Sequence, residues 1–176
     1  MSTDTERSFI ASMTTNYGNL HLPRITYNRK TLVNRWYYEL SAFDRHVDVS
    51  SYLCVAEGAP TDQLEFYFKC IDDYYSIYLL TDSHYDKYAL SNENKSFISA
   101  FRYDDDQTTY NLLDSKGEIV TIDQLEGETH TLKIQTRGGR KLSVQGKTDV
   151  GGIVCTGKEG GSVLTFKLEV LERGIS

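Results

Sequence analysis

Short runs of alternating apolar and polar residues dominate the chain from residue 37 onward. They recur at intervals of roughly eight to twelve residues, the spacing typical of all-β sandwiches and barrels, and most close near Gly, Asn or Asp. No stretch sustains the 3.6-residue period of an amphipathic helix. The pattern therefore predicts an all-β domain.

The N-terminal part of the chain has a different pattern of apolar and polar residues. Residues 1–15 are rich in Ser and Thr and polar apart from Phe9, Ile10 and Met13, which indicates a loose arm or a short edge element. We expect residues 1–35 to form an arm or a set of added strands. Residues 36–176 then form a single domain, because a chain of 176 residues can bury one core without disulfides or metals.

The second half of the chain contains an internal repeat. Four strand-like runs occur in the same order in two segments, with offsets that agree within three residues: 77–79 with 132–134, 87–90 with 140–143, 98–100 with 154–156, and 109–112 with 165–168. A shorter copy lies upstream, where runs at 37–42, 51–53 and 64–68 supply three strands and the remaining strand is missing or compressed into 57–62. Self-similarity of this kind indicates a repeat architecture.

Three units of about four strands are each too small to bury an apolar face alone, so they predict a closed β-trefoil. The imperfect repeats cover about residues 37–73, 74–128 and 129–176. The structural alternative is a β-sandwich with a chance duplication.

Particular residues carry a family resemblance. The run "THTLKIQTRGGRKLSVQGK", followed by "GGIVCTGK" and "SVLTFKLEV", resembles the pattern of fascin-like and ricin-B-like trefoil domains. Residues 107–119, "QTTYNLLDSKGEI", resemble the ricin-type closing motif, Gln-x-Trp followed by an Asp-Gly turn and Ile. Here Gln107 precedes the aromatic residue by three positions, and that residue is Tyr110. In the last repeat Phe166 takes its place, with no Gln before it.

The resemblance implies carbohydrate binding in shallow pockets of individual repeats, with actin or protease binding as the rarer activities. Amides and carboxylates bond to sugar hydroxyls while an aromatic face covers the apolar side of the ring. The second repeat carries these types in Asn92, Tyr103, Asp106 and Gln107. The alternative is that these residues do not bind sugar: "YDDDQ" is then a solvated loop, and Tyr103 packs locally.

The distribution of charged residues indicates which classes of binding partner to expect. The net charge is -6, and residues 36–128 carry six Lys and Arg against nineteen Asp and Glu. This acidic middle disfavours phosphate backbones, so we expect a glycan or glycoprotein partner and no nucleic acid. The chain has no apolar run long enough to span a bilayer and no secretory signal pattern, so we expect it to be cytoplasmic, or exported without a recognisable signal peptide.

No catalytic or metal-binding spacing is evident, and we expect a non-enzymatic protein without a cofactor. Asp104, Asp105 and Asp106 lack the Gly and Glu spacing of an EF-hand, and the four His are scattered. Three cysteines without CxxC spacing suit buried thiols, with a Cys54–Cys70 disulfide as the alternative. A cysteine enzyme using Cys54 with His46 stays a third alternative.

The competing function is a protein-interaction module, a cytoskeletal binder or protease inhibitor. Its contact surface would be long loops such as residues 81–87 and 135–141. The second of these contains the basic turn Arg137-Gly-Gly-Arg140-Lys141. That turn suits contact with an anionic glycan or an acidic protein, or serves only solubility.

Overall fold

The protein is mostly β in a computed structural model that describes residues 2–27, 32–34, 46–59, 64–80, 88–92, 96–102, 107–148, 151–157 and 161–175. Fourteen antiparallel strands in this part of the chain belong to one sheet, and two more form a separate pair. Two short helices and a 3-10 turn over Ile122–Gln124 complete the described elements. The all-β prediction is therefore confirmed at this level.

The elements are numbered in chain order. The helices are α1 (Asp4–Arg7) and α2 (Pro23–Tyr27). The strands before residue 72 are β1 (Phe9–Thr15), β2 (Gly18–His21), β3 (Leu32–Asn34), β4 (His46–Asp48), β5 (Cys54–Ala56) and β6 (Glu65–Ile71). The next five are β7 (Tyr74–Leu79), β8 (Tyr88–Ser91), β9 (Ser99–Arg102), β10 (Tyr110–Leu113) and β11 (Ile119–Val120). The last five are β12 (Thr129–Thr136), β13 (Leu142–Thr148), β14 (Gly151–Thr156), β15 (Ser162–Val163) and β16 (Phe166–Arg173).

Six strands pair in a partial ring, in the order β1, β6, β7, β10, β12 and β16. The ring returns to its start because β16 also pairs with β1, from Phe9 opposite Arg173 to Thr15 opposite Phe166. The pairing of β7 with β10 is the shortest in the ring and consists of one residue pair, Tyr75 opposite Tyr110. Each ring strand thus has a hydrogen-bonded neighbour on both sides.

The position of β1 corrects the expectation for residues 1–15. This segment is neither a loose arm nor an edge element, since β1 lies between β6 and β16. Phe9, Ala11 and Met13 point inward and are buried. The Ser and Thr residues of the segment made it look polar, although an apolar side chain at every second position is what a strand with one face on the core requires.

Three further strand pairs lie beside the ring: β2 with β5, β8 with β9, and β13 with β14. A closed triangle of backbone hydrogen bonds joins them at buried residues. Leu53 N donates to Ile98 O at 2.9 Å, Ile98 N to Val154 O at 2.8 Å, and Val154 N to Leu53 O at 2.8 Å. The triangle satisfies buried backbone groups that would otherwise be costly to leave unpaired.

The main core lies between the ring strands and the three strand pairs. Phe9 stacks on Phe68 with ring centroids 4.4 Å apart, and both rings meet the edge of Tyr75. The Tyr75 hydroxyl accepts a hydrogen bond from Ile122 N at 3.0 Å, so its polar end is satisfied. Removing one such buried ring typically costs about 3–5 kcal/mol.

Helix α1 is held against this core by polar contacts. Thr3 and Glu6 form a capping box at its start. Arg7 forms an ion pair with Asp123 at 3.3 Å and donates to Asp72 O at 2.9 Å. Capping of this type is worth about 1 kcal/mol, and here it also anchors the chain just before β1.

The predicted repeat strands compare well with those observed. β7, β8, β9 and β10 overlap the runs at 77–79, 87–90, 98–100 and 109–112, and β12, β13, β14 and β16 overlap the downstream runs. The predicted Gly turn is confirmed, since β10 and β11 pair across it and Gly117 has a φ of +84°. The predicted strand at 37–42 lies outside the described residues.

We expect Gly18→Ala to destabilise the protein by about 3 kcal/mol or more, because the new Cβ would combine steric overlap with backbone strain. It would lie 2.6 Å from the Ala56 carbonyl carbon, at a φ of +128°. Gly117→Ala is the matched control, since its φ is also positive but nothing lies within 4 Å. Its loss should be about 1 kcal/mol, the cost of the backbone conformation alone. Urea unfolding measures both, and equal losses would contradict the assigned packing of β1–β2 against β5.

Candidate functional site

Two of the residues predicted to bind sugar lie close together in the second half of the chain. Asn92 Oδ1 accepts a hydrogen bond from the Thr108 hydroxyl at 2.6 Å, and Thr108 follows Gln107 directly. Gln107 Nε2 donates to the Tyr78 hydroxyl at 2.9 Å. Both side chains therefore already hold bonds within the protein. Tyr103 and Asp106, like the rest of the acidic run 104–106, lie outside the described residues.

One acceptor at this location has no partner in the described part of the chain. Gln107 Oε1 is buried and makes no hydrogen bond there. Buried polar atoms are usually paired, so this oxygen is unusual. It supplies one acceptor, which falls short of the several convergent groups that a sugar pocket needs.

One arginine of the basic turn, Arg137, makes a contact within the protein. The Arg137 guanidinium carbon lies 4.0 Å from the centroid of the Tyr74 ring, a cation–π contact. Thr136 N donates to Arg140 O at 2.8 Å and closes the turn. Arg137, Arg140 and Lys141 are all exposed, so the turn keeps its positive charge at the surface.

The three cysteines are free and buried, so the Cys54–Cys70 disulfide alternative is wrong. Burial raises the pKa of Cys70 to about 11 and that of Cys155 to about 11, and it also raises the pKa of Cys54. A thiol acts as a nucleophile through its thiolate, which such pKa values suppress near neutral pH. The described residues contain no group of three His, Cys, Asp or Glu that could hold a metal ion.

A groove of about 930 Å³ lies beside β5, β13 and β14. It was not predicted from the sequence. The residues that line it come from six separate stretches of the chain: Tyr17, Tyr27, residues 55–59, residues 144–146, residues 151–152, and Ser162.

Tyr17 lines the groove from a turn between β1 and β2 that several hydrogen bonds stabilise. Tyr17 N donates to Thr15 Oγ1 at 3.1 Å, and Thr15 Oγ1 donates to Gly18 O at 2.9 Å. Asn16 and Thr165 exchange two further bonds, Asn16 N to Thr165 O and Thr165 N to Asn16 Oδ1. The Tyr17 side chain is 43% exposed, so the turn is fixed while the ring is available.

Tyr27 is the last residue of α2 and is 40% exposed. The helix is attached at its start, where Arg24 N donates to Ser50 O at 2.9 Å. The His21 ring meets the Tyr27 ring edge to face, with centroids 6.1 Å apart. Tyr27 thus supplies a second aromatic surface to the groove from a supported position.

The floor of the groove is largely backbone, because β14 begins with two glycines. A Cβ added at Gly151, which has a φ of +94°, would lie 2.3 Å from the Val55 carbonyl oxygen, so only glycine allows β14 to lie this close to β5. A Cβ added at Gly152 would lie 2.3 Å from Val144 Cγ2, so this glycine leaves room for the Val144 side chain. Polar side chains in the lining are the Glu57 carboxylate, the Gln145 amide and the Ser162 hydroxyl. Aromatic surfaces, a carboxylate, an amide and accessible backbone together suit a ring with one apolar face and several hydroxyls.

Comparisons with known proteins do not add to this description. The chain matches no protein-family model, and neither the curated proteins nor the solved structures gave a significant match. In the described part of the chain, no helix is both long and apolar enough to cross a membrane.

We expect all three thiols to react slowly with a disulfide reagent at pH 8. With a pKa near 11, only about one thiol in a thousand is ionised at that pH, and burial further blocks the reagent. Three thiols should titrate rapidly once the protein is unfolded in guanidinium, which is the internal control. A rapid native phase equal to one thiol would contradict the assigned burial and reopen the cysteine-enzyme alternative.

Proposed function

We propose that this protein is a β-trefoil and that it binds carbohydrate without catalysis. In a trefoil, each of three units gives two strands to a barrel and one strand pair to its cap. The six-strand ring and its three accompanying strand pairs supply those numbers in the right chain order. In this proposal the first unit begins at β1, whereas the sequence pattern placed its start at residue 37.

The strand registers support this assignment. Three cross-strand pairs take equivalent places in the three units: Ala11 with Phe66, Tyr75 with Tyr110, and Leu132 with Phe166. All six side chains are buried, and each pair has one aromatic ring in its closing strand. The closed triangle of Leu53, Ile98 and Val154 has the cyclic order expected around a three-fold axis. A single large sheet also fits a trefoil better than a two-sheet sandwich.

The carbohydrate proposal is carried by one observation, the groove that places Tyr17, Tyr27, Glu57 and Gln145 around a backbone floor. A saccharide ring needs an aromatic surface for its C–H face and acceptors for its hydroxyls, and this lining offers both. The Tyr17 turn is tied by internal hydrogen bonds, which lowers the entropic cost of ordering the site on binding.

The groove suits this function better than the site predicted around Asn92 and Gln107. Those two side chains bond to Thr108 and Tyr78, so a sugar would have to displace existing hydrogen bonds. Glu57 and Gln145 lie in the lining of an open groove. The site in the second unit stays a prediction, and mutation can separate the two.

A glycan array identifies ligands, and titration with the free sugar tests the groove. We expect Tyr17→Ala and Tyr27→Ala each to weaken binding roughly tenfold, because each removes an aromatic surface. Tyr17→Phe is the matched control, since it keeps the ring and should keep binding within about twofold. Gln107→Ala should have no effect.

Three other results would change the conclusion. Loss of binding in Gln107→Ala with Tyr17→Ala unaffected would move the site to the second unit. If no glycan on the array binds, and no binding to free sugars is detected at millimolar concentration, the carbohydrate proposal is contradicted. Capture of a protein partner that free sugar does not displace would favour the interaction-module alternative.

A further inference from the structure

We propose that, of three equivalent crevices in the described part of the chain, the groove is the one that binds sugar, so that the three together hold a single ligand. This inference rests on the proposed function. It starts from the three crevices where neighbouring strand pairs meet, which occupy equivalent places. In one crevice Gly152 lies opposite Val55, in the second Ala100 N donates to Ser51 O, and in the third Thr156 N donates to Ser96 O.

The floors of the three crevices differ at one decisive position. Gly152 corresponds to Ser51 and Ser96 in the other two. A side chain at Gly152 would have its Cβ 2.3 Å from Val144 Cγ2, so a residue other than glycine would force the Val144 side chain in the groove lining to move. The serines mark crevices that lack this bare backbone floor.

The lining differs in size and charge as well. Ala56 and Glu57 follow Val55 in the groove, and the equivalent residues after Ala100 are Phe101 and Arg102. Phe101 is half-buried, so a large side chain takes the place of a methyl group. Arg102 is exposed and reverses the charge that Glu57 provides.

The second aromatic residue of the groove comes from the longest of three corresponding connections. Tyr27 lies in the 32-residue connection between β2 and β5. The corresponding connections are seven residues between β8 and β9 and two residues between β13 and β14. Where the first and second strand pairs adjoin, Tyr52 instead stacks on Phe97 with centroids 5.6 Å apart.

A molecule with one such site binds glycans without cross-linking them unless it self-associates. Isothermal titration with three free neutral oligosaccharides, lactose, triacetylchitotriose and mannotriose, measures the stoichiometry directly. We expect one ligand per chain for whichever sugar binds. The pseudo-equivalent pair Glu57→Gln and Arg102→Gln gives a matched test, because each substitution removes one charge from an exposed residue at the same place in its unit.

Glu57→Gln should weaken binding about tenfold, as expected when a charged acceptor is replaced by a neutral one. Arg102→Gln should leave both affinity and stoichiometry unchanged. A stoichiometry of two or three, or a loss of binding in Arg102→Gln alone, would overturn the single-site inference and leave the carbohydrate proposal standing. No heat with any of the three sugars, together with a silent glycan array, would contradict the proposed function and the inference with it.

Discussion

The pairing of β1 on both of its sides is the constraint on which the rest of this structure depends. β1 joins β6 to β16 and so brings the two ends of a long antiparallel sheet together. Without it both strands would expose an unpaired edge, which is a common origin of aggregation. The same strand stacks Phe9 on Phe68 and brings it against Tyr75 in the core. It then leads directly into the turn that presents Tyr17 at the groove. Closure of the ring and formation of the candidate site are therefore consequences of one strand.

A second level of organisation comes from the backbone bonds between Leu53, Ile98 and Val154. They hold the three strand pairs at fixed distances, so differences in side-chain size at the surrounding positions appear as differences in shape. Gly152 lies beside the groove, whereas serines stand at the corresponding positions 51 and 96. Under our proposal, similar units share a core while their crevices differ in binding chemistry. The long connection that contains α2 increases the difference further.

Several titratable side chains in the described part of the chain are buried. Burial raises the pKa of all three thiols and of Tyr75 and Tyr110, which keeps these groups protonated near neutral pH. The Tyr110 hydroxyl donates to Leu90 O at 3.0 Å and so has a structural partner. The groove lining, by contrast, offers aromatic faces, an amide, a carboxylate and backbone atoms. These are the groups on which the carbohydrate proposal rests.

Local pattern alone predicted the β content, the turn at Gly117 and the burial of the cysteines, because alternation and turn residues report which face a residue occupies. It also aligned the last two proposed units with an error of two residues in their first strands. The pattern paired Ile77 with Leu132, whereas in the proposed trefoil the strand registers make Tyr75 equivalent to Leu132. An error of two residues preserves the inward face, so the pattern could not detect it. Only the tertiary structure decided the place of β1 and the existence of the groove. Both depend on backbone pairing between segments far apart in sequence, and such pairing leaves no periodic signal in the residues that take part.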